Sequence, residues 1–236
     1  MKIMGDYLYR QAKPLPVILL LDTSGSMTVD NNIGTMNQAV REMLRDFQKA
    51  ATSEVGISVA IITFGKNTGI YKELTDVGEI DIASINMDAY GMTPMGEAIK
   101  IAKNLVEDHD KIPSRSYRPT IVLVSDGEPN DSWEKPLESF INDGRSAKCY
   151  RMAMGIGAGQ SGPAYDVLRK FVSNEEQVFT ANDAGEISKF FQYVTMSTTG
   201  RTSSANPNVV PKRDSIIGAQ EPNEEPEDDI DALLPY

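Results

Sequence analysis

The stretch Asp22-Thr23-Ser24-Gly25-Ser26 sets one carboxylate and two hydroxyls at alternate positions, directly after the apolar run Leu15-Pro16-Val17-Ile18-Leu19-Leu20-Leu21. Two more oxygen donors stand in comparable settings: Thr93, in Gly91-Met92-Thr93-Pro94 ahead of a helical pattern, and Asp126, in Ser125-Asp126-Gly127 after a second apolar run. Asp22, Ser24, Ser26, Thr93 and Asp126 offer only hard oxygens, which suit Mg²⁺ or Mn²⁺, with no imidazole or thiolate to favour zinc. Taken singly each has a plainer use, Asp22 as a capping or turn acid and the serines as turn residues. Taken together, after two buried strands, they lie where doubly wound sheets bind their ligands.

The same residues serve enzymatic chemistry poorly. A phosphotransferase of the haloacid dehalogenase type needs Asp-x-Asp, and Ser24 stands in the place of the second acid, so the general acid is missing. A Ser-His dyad fares worse, because the single histidine, His109, lies in the polar run Glu107-Asp108-His109-Asp110-Lys111, far in sequence from Ser24 and Ser26. Gly155-Ile156-Gly157-Ala158-Gly159 lacks the spacing of a dinucleotide loop and reads as a turn. Cys149, on an expected buried strand, reads as a small packing residue. Trp133 is expected to pack beside the site without a chemical role.

Hydropathy patterning supplies the elements that must position these donors. The uninterrupted run over 15–21 is that of a strand buried on both faces, expected at the centre of a sheet. Met36, Ala39, Val40, Met43, Leu44 and Phe47 recur at helical spacing between Thr35 and Ala51. A β-branched strand over 58–65 is expected to pair with a weaker one over 70–74. Pro94 opens a helix reaching Asp108, at a first-turn position where a proline forfeits no hydrogen bond. A strand over 120–125, a helix over 133–141, a strand over 148–156, a helix over 163–172, a short strand over 177–180 and a closing helix over 184–196 continue the alternation. This order implies an α/β fold: a doubly wound, mostly parallel central sheet flanked by helices.

Of 236 residues, 40% are hydrophobic and 24% charged, an ordinary composition for a soluble chain of one domain with a tail. With 34 acidic against 23 basic residues the formal charge is -11, which opposes attraction to nucleic acid and to anionic membrane surfaces. One cysteine excludes an intrachain disulfide and a zinc site built on cysteine pairs, and it suits a reducing compartment. Met1 to Tyr7 lacks the apolar run of a secretory signal, and no run approaches the roughly 20 residues needed to span a bilayer. A cytoplasmic location is expected. Beyond Ser197 the chain turns to Ser, Thr, Pro, Asn and acids, ending in Ile230, Leu233, Leu234 and Tyr236 after an acidic cluster, either a linear binding motif or a solubilising tail. The expected divisions are an extension over 1–13, a domain over 14–197 and a tail over 198–236.

With the order DxSxS, a lone Thr before a helix, then Asp-Gly after a strand, the chain from 14 to 197 resembles the von Willebrand factor A domains. Asp22, Ser24, Ser26, Thr93 and Asp126 match the five points of their metal-ion-dependent adhesion site (MIDAS). The resemblance implies that Ser24, Ser26 and Thr93 ligate the metal through hydroxyls, that Asp22 and Asp126 act through water or by orienting those hydroxyls, and that a partner protein's Asp or Glu completes the shell. Phe190-Phe191-Gln192-Tyr193-Val194 followed by Ser197-Thr198-Thr199-Gly200 is similar to the bacterial tellurium-resistance, TerY-like subgroup. That likeness implies a stress-response setting with kinase-like and PP2C-like partners. Two functions follow: a non-enzymatic scaffold whose metal face captures an acidic residue, or a regulatory component of an enzymatic assembly in phospho-signalling.

Overall fold

From Leu15 to Thr23 every residue of the first strand is buried, as a strand covered by helices on both faces requires. The computed structural model describes residues 12–157, 159, 161–173 and 176–211. Its strands β1 (Lys13–Thr23), β2 (Val55–Gly65), β3 (Gly69–Asp76), β4 (Thr120–Ser125), β5 (Tyr150–Ile156) and β6 (Phe179–Ala181) form one sheet in the order β3-β2-β1-β4-β5-β6. Only the β2–β3 hairpin is antiparallel. Strand order reverses between β1 and β4, so the carboxyl ends of these two neighbours flank the crevice where such sheets bind ligands. Leu21 pairs with Val124, which brings Asp22 and Ser125 to one level at that crevice.

Among the described residues, five α-helices cover the sheet: α1 (Asn32–Ala50), α2 (Met95–Glu107), α3 (Glu134–Asn142), α4 (Pro163–Phe171) and α5 (Ala184–Thr202). The two-residue period of β1 sorts the core into two layers. Val17, Leu19 and Leu21 pack with Val40 and Leu44 of α1 and Phe190 of α5, while Ile18 and Leu20 pack with Ile99 of α2, Phe140 of α3 and Phe171 of α4. Each such fully buried side chain contributes roughly 1.5–3 kcal/mol, so the strand that carries the site is anchored from both sides.

The expected α/β architecture is the observed one, with local corrections. Pro94 occupies the N-cap of α2, with φ -79° and ψ 66°, rather than its first turn. Ser146–Lys148 forms a 3-10 turn, so Cys149 precedes β5 instead of lying on it. Cys149 is nevertheless fully buried, and burial pushes its thiol up to about 12, which keeps it protonated and unreactive. The largest correction is at the end of the closing helix, expected at 196. Helix α5 runs on to Thr202 because Arg201, fully buried, donates from Nε to Pro207 O (2.6 Å), from Nη1 to Thr120 Oγ1 (2.8 Å) and from Nη2 to Arg118 O (2.6 Å). Thr198, Arg201, Thr202 and Pro207 are therefore buried against the body. The first eleven residues, Ala158 of the glycine-rich loop, and 212–236 with the acidic cluster and apolar ending lie outside the described residues. No helix among the described residues is long and apolar enough to cross a membrane.

Candidate metal centre

Four of the five anticipated donors are joined by short contacts at the carboxyl ends of β1 and β4. Asp22 Oδ1 accepts from Ser24 N (2.8 Å) and Asp22 Oδ2 from Ser125 Oγ (2.6 Å). Ser24 Oγ lies 3.0 Å from Ser26 Oγ, and Ser26 Oγ donates to Asp126 Oδ1 (2.8 Å). Thr93 comes from a third segment, and its Oγ1 lies 3.9 Å from where a Cβ on Gly127 would stand, so its hydroxyl borders the Asp126-Gly127 turn. Asp22 and Ser24 are buried, Asp126 is half-buried and Ser26 is exposed, which opens the cluster to solvent on the Ser26 side.

The loops holding these donors are fastened through the backbone. Gly25 N donates to Gly91 O (3.0 Å), Tyr90 N to Thr23 O (2.8 Å) and Lys66 N to Tyr90 O (2.7 Å), tying the segment before Thr93 to the ends of β1 and β2. Gly91 permits this approach: its φ is +89° and a Cβ there would sit 2.6 Å from Lys66 N. Asp131 is a support that sequence reasoning missed. Its two carboxylate oxygens accept from Gly96 N and Glu97 N, each at 2.9 Å, capping α2 from another loop and fixing the residues just after Thr93. Asn130 adds to this, its N–H donating to Thr93 O (3.1 Å). An acid before a helical pattern is visible in Asn130-Asp131-Ser132, but chain order suggests a cap for α3, and only the fold reveals that α2 receives it. Ser125, which orients Asp22, was legible as a neighbour of Asp126 but carried no role in the motif.

Burial raises the Asp22 carboxyl to about 6, an effect that the hydrogen bonds from Ser125 and Ser24 oppose and the nearby charge of Asp126 reinforces. Burial also raises Asp126, against the bond from Ser26. Two carboxylates held up in this way favour a compensating cation. Among the described residues no group of three His, Cys, Asp or Glu side chains is placed to hold a metal, so a cation here depends on the hydroxyls of Ser24, Ser26 and Thr93 as well as on the two acids. This all-oxygen donor set fits a hard divalent ion.

The family model for the von Willebrand factor type A domain matches residues 17–193, which run from within β1 to midway along α5 and include all five donors. The chain belongs to this family. Solved A domains share its fold at low identity. Proximal thread matrix protein 1 from the mussel byssus, in a structure with zinc occupying its MIDAS motif, is 20% identical with a TM-score of 0.58, covering 78% of this chain and 45% of that one. The von Willebrand factor domain of the type V pilus tip protein Mfa5 from Porphyromonas gingivalis is 13% identical with a TM-score of 0.59, covering 83% of this chain and 98% of that one. An uncharacterised protein of Mycobacterium tuberculosis is 28% identical over 114 residues, and the match takes in 47% of this chain and 17% of that protein. This A domain thus corresponds to a small part of that longer relative and to under half of the mussel protein.

Proposed function

We propose that this A domain is a divalent-metal-dependent protein-interaction module, a non-enzymatic intracellular scaffold that holds Mg²⁺ or Mn²⁺ with Asp22, Ser24, Ser26, Thr93 and Asp126. The observation that carries this reading is the convergence of five oxygen side chains from three segments at the strand-order reversal, with Ser24, Ser26 and Asp126 in direct contact. A bound divalent cation supplies an electron-poor position that the carboxylate of a partner's Asp or Glu completes. The chain's own residues prepare that position. Ser125 and the Ser24 N–H orient the Asp22 carboxylate, Asp126 orients the Ser26 hydroxyl, and Asp131 with Asn130 fixes the backbone around Thr93.

The surroundings favour a protein over a small metabolite. Val29, Tyr90 and Met92 stand beside the donors and are 58%, 64% and 66% exposed. Apolar side chains held at the surface by a tethered backbone around a polar centre suit burial by a protein partner. Nucleophilic chemistry lacks a base: His109 contacts Ser114 Oγ at 2.9 Å in the segment that leads to the amino end of β4. Within the family, the likeness of Phe190–Gly200 to the TerY-like subgroup supports a place in a cytoplasmic tellurium-resistance or stress system with kinase-like and PP2C-like partners.

Calorimetry tests the metal: the parent should bind one Mg²⁺ or Mn²⁺, and Asp22→Ala should bind none. A partner complex recovered in Mg²⁺ should then dissociate with EDTA, with Thr93→Ala, and when one acid of the partner becomes its amide. A complex that survives both chelation and Thr93→Ala would overturn the reading.

A further inference from the structure

A cavity of about 540 Å³ opens at the amino ends of β4 and β5, and Arg118, Arg145, Lys148 and His109 line it. In a chain of net charge -11 this is a local reversal of sign. Arg118, Arg145 and Lys148 make no ion pair among the described residues. Glu107 directs its carboxylate to the backbone N–H groups of Arg145 (3.1 Å) and Ser146 (3.0 Å) and lies 3.8 Å from Lys103 Nζ.

The guanidinium groups are held in place with donors to spare. Arg118 Nε donates to Lys148 O (2.8 Å), and Arg145 Nη2 donates to Ile112 O (2.8 Å). Among the described residues, Arg145 Nη1 and the Oγ of Ser116, another lining residue, are buried without any hydrogen-bond partner. A buried cationic donor left unpaired is costly, and native folds rarely keep one without an acceptor to meet it. Arg151 and Arg201 stand nearby, and burial lowers the pKa of both, Arg201 to about 10, with the Arg118 charge adding to the fall. An anion in the cavity relieves that mutual repulsion.

Size and lining narrow the anion. The cavity exceeds what one phosphate or carboxylate fills and lies in the range of small-molecule sites. Val106, Tyr117 and Pro119 supply an apolar part of the wall. Donors from three separate basic residues outnumber the two oxygens of a carboxylate and suit a phosphate, for which arginine forks are well shaped.

We propose that this cavity binds a small phosphate-bearing organic molecule, its phosphate among Arg118, Arg145 and Lys148 and its apolar part on Val106, Tyr117 and Pro119. The site is separate from the metal centre, which lies at the opposite end of β4, and it stands whether or not the metal reading does. An oxyanion could also come from the chain's own acids between Glu221 and Asp231, so the test has arms for both sources.

AMP, adenosine and inorganic phosphate serve as probes, titrated by calorimetry in EDTA and about 150 mM chloride into the full chain and into a chain cut after Pro211. AMP should bind with 1:1 stoichiometry, more tightly than phosphate, and adenosine should bind at least tenfold more weakly than AMP. Lys148→Glu, whose side chain is exposed, should weaken AMP at least tenfold, and Ser116→Ala a few-fold, while Asp126→Ala at the metal centre leaves it unchanged. Tighter AMP binding by the cut chain would support the site and identify the acidic segment as its competitor. Absence of AMP and phosphate binding to both chains at millimolar concentration, or AMP binding indifferent to Lys148→Glu and Ser116→Ala, would overturn the proposal.

Discussion

The two ends of the parallel strands differ in sign and in how their charges are used. At the carboxyl ends, Asp22 and Asp126 with their hydroxyl neighbours form a cluster whose hydrogen bonds stay among the ends of β1 and β4 and the turns that follow them. At the amino ends, Arg201 and Arg151 are threaded into the body, Arg151 donating from Nε to Phe171 O (2.7 Å) and Arg201 bridging α5 to β4. The difference teaches that one sheet can separate site from staple. Acids that need only preorganise oxygen atoms sit at strand ends, Asp22 near the end of β1 and Asp126 just past β4, and Asp22→Asn keeps the size of the side chain while changing its charge. Arginines that satisfy buried carbonyls sit inside the packing, and removing them leaves acceptors without donors.

The largest expected effect tests that division at the amino end. A chain cut after Ser197 loses Arg201 and the last turn of α5, and Arg201→Met removes only the guanidinium; each should lower unfolding stability in urea by about 3 kcal/mol or more, since hydrogen bonds to charged groups are worth roughly 1.5–3 kcal/mol each. A cut after Pro211 should leave the urea midpoint close to the parent's. Equal midpoints for all three would show that Arg201 is not the staple described. At the other end, Asp22→Asn should reduce metal affinity by roughly 10–100-fold while the melting temperature stays near the parent's. If Asp22→Asn unfolds the domain, the acid is structural and the division between the two ends fails.

The unequal legibility of the two ends has a physical cause. Asp22, Ser24 and Ser26 lie within one turn after an uninterrupted apolar strand, so local spacing alone shows that their side chains gather, and the continuous apolar runs over 15–21 and 120–125 show which strands carry them. The basic cavity has no such spacing. Arg118, Arg145 and Lys148 come from the two segments that lead into β4 and β5, and only the parallel pairing of Thr120 with Tyr150 makes them neighbours. The end of α5 was hidden for a related reason. Thr195, Ser197, Thr198, Arg201 and Thr202 are buried although polar, so the apolar stripe stops near Met196 while the helix continues on hydrogen bonds that chain order does not reveal. Asp131 illustrates the same limit, since a capping acid borrowed from another loop has no signature in the sequence of the helix it caps.

Asp131 offers a smaller test that links fold and metal at the carboxyl end. Asp131→Ala leaves Gly96 N and Glu97 N without their acceptors, and the loss should be about 1 kcal/mol, as for other helix caps. Because the same contacts fix the backbone after Thr93, metal affinity should fall a few-fold in calorimetry, with Asp131→Asn intermediate in both measurements. Loss of stability with unchanged metal affinity would remove Asp131 from the site and leave it as a cap alone.

The smallest effect is expected from Glu107, the acid that serves the basic end. Burial by itself would raise its pKa, but the N–H groups of Ser146 and Arg145, together with Lys103, outweigh that and hold it below the ordinary value of 4.5. Gly144 makes room for the carboxylate: its φ is +69°, and a Cβ there would stand 2.4 Å from Glu107 Oε1. A carboxyl whose pKa is lower in the folded chain than in the unfolded one binds protons more readily when unfolded. Its contribution is therefore fully present above about 4.5 and is lost as pH falls through the folded value. The side chain is 34% exposed, so solvent screening limits the effect, and Glu107→Gln should cost about 0.5–1 kcal/mol at pH 7. Urea midpoints of parent and Glu107→Gln should differ at pH 7 and converge as the pH falls through the folded value. A difference that persists unchanged at low pH would show that Glu107 acts through its shape, and that the turn presenting Arg145 to the cavity does not depend on its charge.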